Sequence, residues 1–214
     1  MGRNRQENGT RSLSHGRSRL ARPVRRPAAA RNPERPIFHF ERGPLFVHTF
    51  RMKLLTRYRT RMAMPGQDEE TLARLKVVCW REAYPGLLPQ PLLDMLDARR
   101  EEAGWHDALG RGIAWIVEQS GAPVGFGHME GAEVTTLYVR KEDHGQGVGA
   151  ALLSHLFDEI ACLGRREAFL WVLEKNLKAR GFYERMGGRL VARRPVGFPR
   201  YPHIMEVRYD FVLD

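Results

Sequence analysis

Apolar positions along this 214-residue chain fall into two regimes. Before about Ile37 they show almost no period; from about residue 66 they recur at helical or strand spacing. Asp68, followed by Glu69 and Glu70, predicts a helix cap, and Leu72, Leu75, Val78 and Cys79 continue at helical spacing toward Pro85. A second helix is expected over about Gln90 to Arg100 through Leu92, Leu93 and Leu96. Three apolar runs follow, Ile113 to Val117, Val124 to Met129 and Glu133 to Val139, joined by the turns Gln119–Pro123 and Glu130–Gly131. Links this short predict an antiparallel meander.

The third run leads through Arg140 to His144 into Gly145-Gln146-Gly147-Val148-Gly149-Ala150. From there Val148, Leu152, Leu153, Leu156, Phe157 and Ile160 form a helical stripe ending near Gly164. Ala168 to Leu173 is almost wholly apolar, as in a strand covered on both faces and paired in parallel after a helical crossover. Asn176 opens a helix that ends near Gly187-Gly188, and Leu190 to Ala192 and Ile204 to Val212 read as closing strands. The predicted class is α/β, with a mixed central sheet whose first half is antiparallel and which contains one parallel crossover around the glycine loop.

A glycine-rich helix start holds phosphate through unpaired backbone N–H groups and the helix dipole. The spacing separates three versions of such a site. A P-loop needs Lys-Ser or Lys-Thr after the last glycine, and Ala150-Ala151 stands there instead. Gly145-x-Gly147-x-x-Ala150, with Glu174 after the next apolar run, matches the dinucleotide fingerprint literally. That fold feeds its strand almost directly into the first glycine and continues with more strand-helix units. Here five polar residues intervene, hairpins precede the loop, and 40 residues remain after Glu174.

Leu137-Tyr138-Val139 before the glycines, Leu170-Trp-Val-Leu-Glu-Lys-Asn176 and Ala179-Arg-Gly-Phe-Tyr183-Glu-Arg-Met-Gly187 together resemble the Gcn5-related N-acetyltransferase (GNAT) superfamily. The resemblance extends to Trp80-Arg-Glu-Ala-Tyr84-Pro-Gly-Leu-Leu-Pro89 and covers about residues 66 to 212. It implies the acyl-CoA N-acyltransferase fold, with acetyl-coenzyme A as cosubstrate and a small-molecule amine or peptide N-terminus as acceptor. In that family the parallel strand pair splays, and the pantetheine arm lies in the gap. The implied cofactor contacts are the Leu137, Tyr138 and Val139 backbone, the loop Gly145, Gln146, Gly147, Val148, Gly149 and Ala150, and Asn176, which is also a natural helix cap.

The implied catalytic pair is Tyr183, as general acid to the departing thiolate, and Glu133, as base to the amine through water. The alternatives are a packing aromatic beside Phe182 and a solvated edge carboxylate. Trp80, Glu82 and Tyr84 fall in the region that walls the acceptor site in the family; Trp80 suits a core position equally. Three residues depart from the family pattern: His144 where Arg or Gln is usual, Gly181 where Ala is frequent, and Gly188 where Phe is common. His106 and His128 read as ordinary histidines without metal-ligand spacing.

Charge divides the chain. Residues 1–61 hold 15 Arg and 1 Lys against 3 Glu, a net of +13; the whole chain carries +10, which leaves −3 for residues 62–214. The basic segment is expected to be disordered at least to Ile37, and 62–214 is expected to form the acetyltransferase domain. Three readings of the segment stay open: an arm for nucleic acid, an organelle transit peptide, or upstream sequence before a start at Met62 or Met64. The alternative function is a catalytically silent coenzyme A binding module with an RNA-binding arm. No run reaches membrane-spanning length, and Cys79 and Cys162, both expected to be buried apolar residues, make no disulfide framework. A cytoplasmic enzyme is the expectation. Dimerisation is common in the family, and no exposed apolar face in the sequence argues for it.

Overall fold

A computed structural model describes residues 57–213. They form a seven-stranded sheet flanked by five α-helices. The strands are β1 (Tyr58–Met62), β2 (Ile113–Gln119), β3 (Ala122–Glu130), β4 (Glu133–Val139), β5 (Glu167–Leu173), β6 (Arg189–Pro195) and β7 (Met205–Val212). The helices are α1 (Glu69–Ala83), α2 (Gln90–Asp94), α3 (Ala98–Arg111), α4 (Val148–Cys162) and α5 (Leu177–Arg185). The sheet order is β1-β2-β3-β4-β5-β7-β6. Every neighbouring pair is antiparallel except β4 and β5, whose only registered pair is Glu133 with Phe169. Beyond Glu133 the two strands part.

The stripe on α4 produces the main core: Val148, Leu152, Leu153, Leu156 and Ile160 are buried against Val134, Leu170, Val172, Val207 and Tyr209. Gly127 allows the close seating, because a Cβ there would lie 2.7 Å from Leu156 Cδ1. On the opposite face α1 and α3 bury Leu72, Leu75, Trp105 and Leu109 against Ile116 and Phe126. The β5-β7-β6 half has a polar outer face: Arg208 lies over the Phe169 ring at 4.0 Å and Arg194 over Trp171 at 3.7 Å. The face of β5 expected to be covered by apolar packing is therefore covered by stacked guanidiniums.

Several local expectations are corrected. The boundary at residues 61 and 62 cuts through β1, which pairs with β2 from Tyr58↔Gln119 to Met62↔Trp115. The expected disorder and the uses of the basic arm lie on residues outside the described ones. The expected helix Gln90–Arg100 is two elements, because Asp97 adopts an extended backbone and accepts from Arg99 N and Arg100 N as the cap of α3. Asp68 does not cap α1 with its side chain; its carboxylate accepts from Arg61 at 2.7 and 2.8 Å and from Met64 N at 2.8 Å. Val78 is exposed and Val77 is buried in its place; Cys79 is buried, but Cys162, at the end of α4, is exposed.

Candidate active site

The turn from β4 into α4 is a single 3-10 turn at Lys141–Asp143 followed by the glycines. Gly145 (φ 76°) and Gly147 (φ 80°) both hold left-handed backbone, which costs an L-side chain about 1–2 kcal/mol. From Gly145 onward the first amide to find a backbone partner is Ala151 N, bonded to Gly147 O at 3.0 Å. The amides ahead of it are left for an anion, and the helix dipole favours one there.

Three contacts fix the loop's shape. Glu82 on α1 accepts from Lys141 N at 2.8 Å. The Tyr58 hydroxyl lies 2.9 Å from Asp143 Oδ1 and 2.9 Å from Gln146 Oε1, one proton shared between two acceptors. Asp143 is 3% exposed, and its Oδ2 has no partner. His144 bridges Val139 O (2.8 Å from Nε2) and Lys178 Nζ (2.8 Å from Nδ1). Lys178 thus brings an ammonium to the loop where His144 replaces the family's Arg or Gln.

Beside the loop, a cleft of about 900 Å³ opens where β4 and β5 part. It is lined by Leu137, Tyr138, Val139, Gly145, Gly147, Gly149, Ala150, Asn176 and Tyr183, most of the residues expected from the sequence. From Val134 onward, the β4 edge that faces β5 has no registered strand partner, so its backbone can pair with an extended ligand. Asn176 caps α5, its side chain accepting from Ala179 N at 3.1 Å. Gly188 is required by packing, since a Cβ would stand 2.8 Å from the Phe211 ring.

Tyr183 reaches the cleft from α5 and is buried. Burial, reinforced by Tyr84, holds its phenol well above the usual tyrosine pKa, so it is protonated at neutral pH. Its hydroxyl has no hydrogen-bond partner among the described residues. Nearby, the Tyr84 and Tyr138 hydroxyls lie 2.6 Å apart, a pair 54 positions apart in the chain that sequence reasoning missed.

Glu133 stands apart. It is the first residue of β4, opposite Glu130 and Phe169, and is not among the residues lining the cleft. Its carboxyl pKa is raised, chiefly by burial; Arg194 and Arg208 oppose the shift, whereas Glu130 and Glu206 add to it. Glu206 does line the cleft. Trp80, Glu82 and Tyr84 also line it, and His128 is structural, bonded to Thr135 Oγ1 and Ala108 O. Glu174 pairs with Arg193 at the surface, and a sheet with one parallel contact excludes the dinucleotide fold.

A splayed parallel pair, a helix start with free amides and a cleft between them define an acyl-CoA N-acyltransferase fold. The comparisons agree. Residues 110–187 match the acetyltransferase (GNAT) domain. The chain is 32% identical over 161 residues to "Probable N-acetyltransferase Rv2775" of Mycobacterium tuberculosis, covering 68% of this chain and 90% of that protein. It is 31% identical over 91 residues to the peptidyl-lysine N-acetyltransferase YjaB of Salmonella typhimurium, across 42% of this chain and 59% of that one. The fold is similar to a GCN5-related N-acetyltransferase from Rhodopseudomonas palustris (TM-score 0.65, 19% identity, 73% of this chain and 96% of that one). It is also similar to the PaiA N-acetyltransferase of Thermoplasma acidophilum solved with coenzyme A (TM-score 0.61, 17% identity, 72% and 98%). The chain belongs to the GNAT family and is an acetyl-CoA-dependent N-acetyltransferase. No helix among the described residues is long and apolar enough to cross a membrane.

Proposed function

We propose that this chain transfers the acetyl group of acetyl-coenzyme A to a primary amine, of a small molecule or a peptide N-terminus, by direct attack on the thioester. The observation that carries the reading is the convergence of free loop amides, an unpaired β4 edge and a protonated Tyr183 on one cleft. Acetyl-coenzyme A, when bound, supplies the acyl group as a thioester with a thiolate leaving group. The amides of Gln146 to Ala150 hold the pyrophosphate, with Lys178 adding a positive charge. Leu137, Tyr138 and Val139 pair their backbone with the pantetheine amides, and Asn176 adds a contact from the start of α5.

Tyr183 donates its proton to the departing sulfur. Burial keeps the phenol protonated, so it can hydrogen-bond to the sulfur and give up its proton as negative charge develops there. Glu133, its carboxyl pKa raised chiefly by burial, takes the amine proton through water from outside the lining; Glu206, whose charge adds to that shift, lines the cleft itself. Residues from Tyr58 onward make up the catalytic domain.

The full chain should be stabilised thermally by acetyl-coenzyme A and should release thiol only when an amine is present. A Tyr183→Phe variant should lose about a hundredfold in kcat and still be stabilised by acetyl-coenzyme A. Stabilisation without thiol release for any amine would instead support a coenzyme A binding module, and no stabilisation would refute the cofactor site.

A further inference from the structure

One wall of the cleft is formed by Trp80, Tyr84, Leu87, Val196 and Phe198, which pack in one apolar cluster; Trp171 also lines the cleft. Three carboxylates line the cleft: Glu206, Glu82 beside the glycine loop, and Asp143 within it. Glu206 accepts from Arg194 Nε at 2.6 Å, and Glu82 accepts from Lys141 N at 2.8 Å. The cations of the lining outnumber them: Lys141, Lys175, Lys178 and Arg185, with Arg194 also paired to Glu206. A polyamine, or a lysine in a basic peptide, finds apolar walls here and more cations than carboxylates around its extra charge.

The polar chemistry of this wall is the hydroxyl pair. Tyr84 and Tyr138 share one hydrogen bond of 2.6 Å, which uses one of their two protons. The Tyr138 oxygen can also accept from the Trp80 indole N–H, which leaves one O–H of the pair unspent inside a mainly apolar cleft. The Trp80 indole lies on the same wall, edge-on to Tyr84 at 5.0 Å between ring centroids, with its N–H within reach of the Tyr138 hydroxyl. Buried donors without partners are costly, and a site that keeps them rewards a ligand that supplies the acceptor.

We infer that the acceptor is a primary amine on an apolar, aromatic-sized body with a hydrogen-bond-accepting oxygen next to the amine, and that the Tyr84–Tyr138 hydroxyl pair reads that oxygen. This rests on the acetyl-transfer reading above and narrows its acceptor. The walls select the body, the hydroxyl pair selects the oxygen, and the excess of cations over carboxylates in the lining disfavours further positive charge. The ordinary proton balance is unchanged: the amine loses its proton to the base, and the thiol leaves protonated.

The test compares kcat/KM of the full chain for phenylalaninamide, for phenethylamine, which lacks the carbonyl, for spermidine, and for an N-terminally blocked lysine peptide. The carbonyl should be worth about tenfold, the value of one neutral hydrogen bond, and both aromatic amines should exceed spermidine and the peptide. In Tyr84→Phe and Tyr138→Phe the ratio of phenylalaninamide to phenethylamine should fall about tenfold from its wild-type value at the same pH. Stabilisation of each variant by coenzyme A checks that it folds. A wild-type ratio near one, a ratio that survives both substitutions, or a preference for spermidine or peptidyl lysine would overturn the inference. So would an equal kcat loss for every amine, since the pair would then act on the thioester and not on the acceptor. In all these cases acetyl transfer itself stands, whereas absence of thiol release with all four amines refutes the enzymatic reading and this inference with it.

Discussion

Replacing Tyr58 with phenylalanine removes one oxygen, and with it the hydroxyl that holds Asp143. That carboxylate is 3% exposed, and its second oxygen has no partner. Loss of a hydrogen bond to a charged group costs about 1.5–3 kcal/mol; burial leaves little water to compensate. At about 2 kcal/mol the loop can recover the cost by turning Asp143 outward, which carries the adjacent glycine amides out of line. A shift of 2 kcal/mol changes a population ratio by about thirtyfold, and apparent affinity falls with the competent fraction. Calorimetric titration of coenzyme A into the full-length Tyr58→Phe variant should therefore show Kd raised about 10–30-fold, with KM for acetyl-coenzyme A rising more than kcat falls. Tyr58→Phe combined with Asp143→Leu removes both partners and should recover part of the affinity, because no buried charge is left stranded. A lowered melting temperature with unchanged Kd, or a double variant that only adds the two losses, would refute the clamp.

Further outcomes follow from the same geometry. A chain beginning at Met62 lacks the Tyr58 hydroxyl and most of β1, and should bind coenzyme A at least as weakly as Tyr58→Phe; an unaltered Kd by titration would contradict this. Gly147→Ala places a methyl on backbone at φ 80°, costing about 1–2 kcal/mol, and should weaken coenzyme A binding about tenfold or more. Burial lowers the His155 pKa from 6.5 to about 4, and its ring packs edge-on to Trp115 at 4.1 Å between centroids. The unfolded chain then binds more protons at this site than the folded one between those values, so the His155 contribution to urea-measured stability should fall as pH drops from 6.5 toward 4 and level off below, where Asp68 and Glu69, whose pKa values are lowered, take over the loss. His155→Leu should reduce that slope, leaving the part due to His128, whose pKa burial also lowers.

What was legible in the sequence is what short-range periodicity and glycine spacing encode. Val148, Leu152, Leu153, Leu156 and Ile160 announced both the α4 helix and its buried face, and the loop ahead of it announced its own backbone conformation. The α3 helix was hidden because Gly104 and Gly110 interrupt it and only Trp105 and Leu109 are fully buried. Asp97 was the one local sign of its start. Long-range partners carried no signal: Tyr58 meets Asp143 across 85 positions, and Tyr84 meets Tyr138 across 54. Asp68 offered a plausible cap, but a bidentate arginine seven residues earlier outcompeted the helix amides for it.

The single registered pair between β4 and β5 makes this sheet two half-sheets hinged at Glu133 and Phe169. Between them the molecule lacks a run of ladder bonds, a built-in seam. A ligand whose amides occupy that seam acts as a zipper as well as a reactant, coupling the meander β1–β4 to the β5-β7-β6 ribbon. Amide hydrogen exchange along Val134–Val139 should then slow sharply on coenzyme binding, while that of β2 and β7 changes little. Filling the cleft would knit the two halves together, and release of the spent coenzyme would reopen the seam.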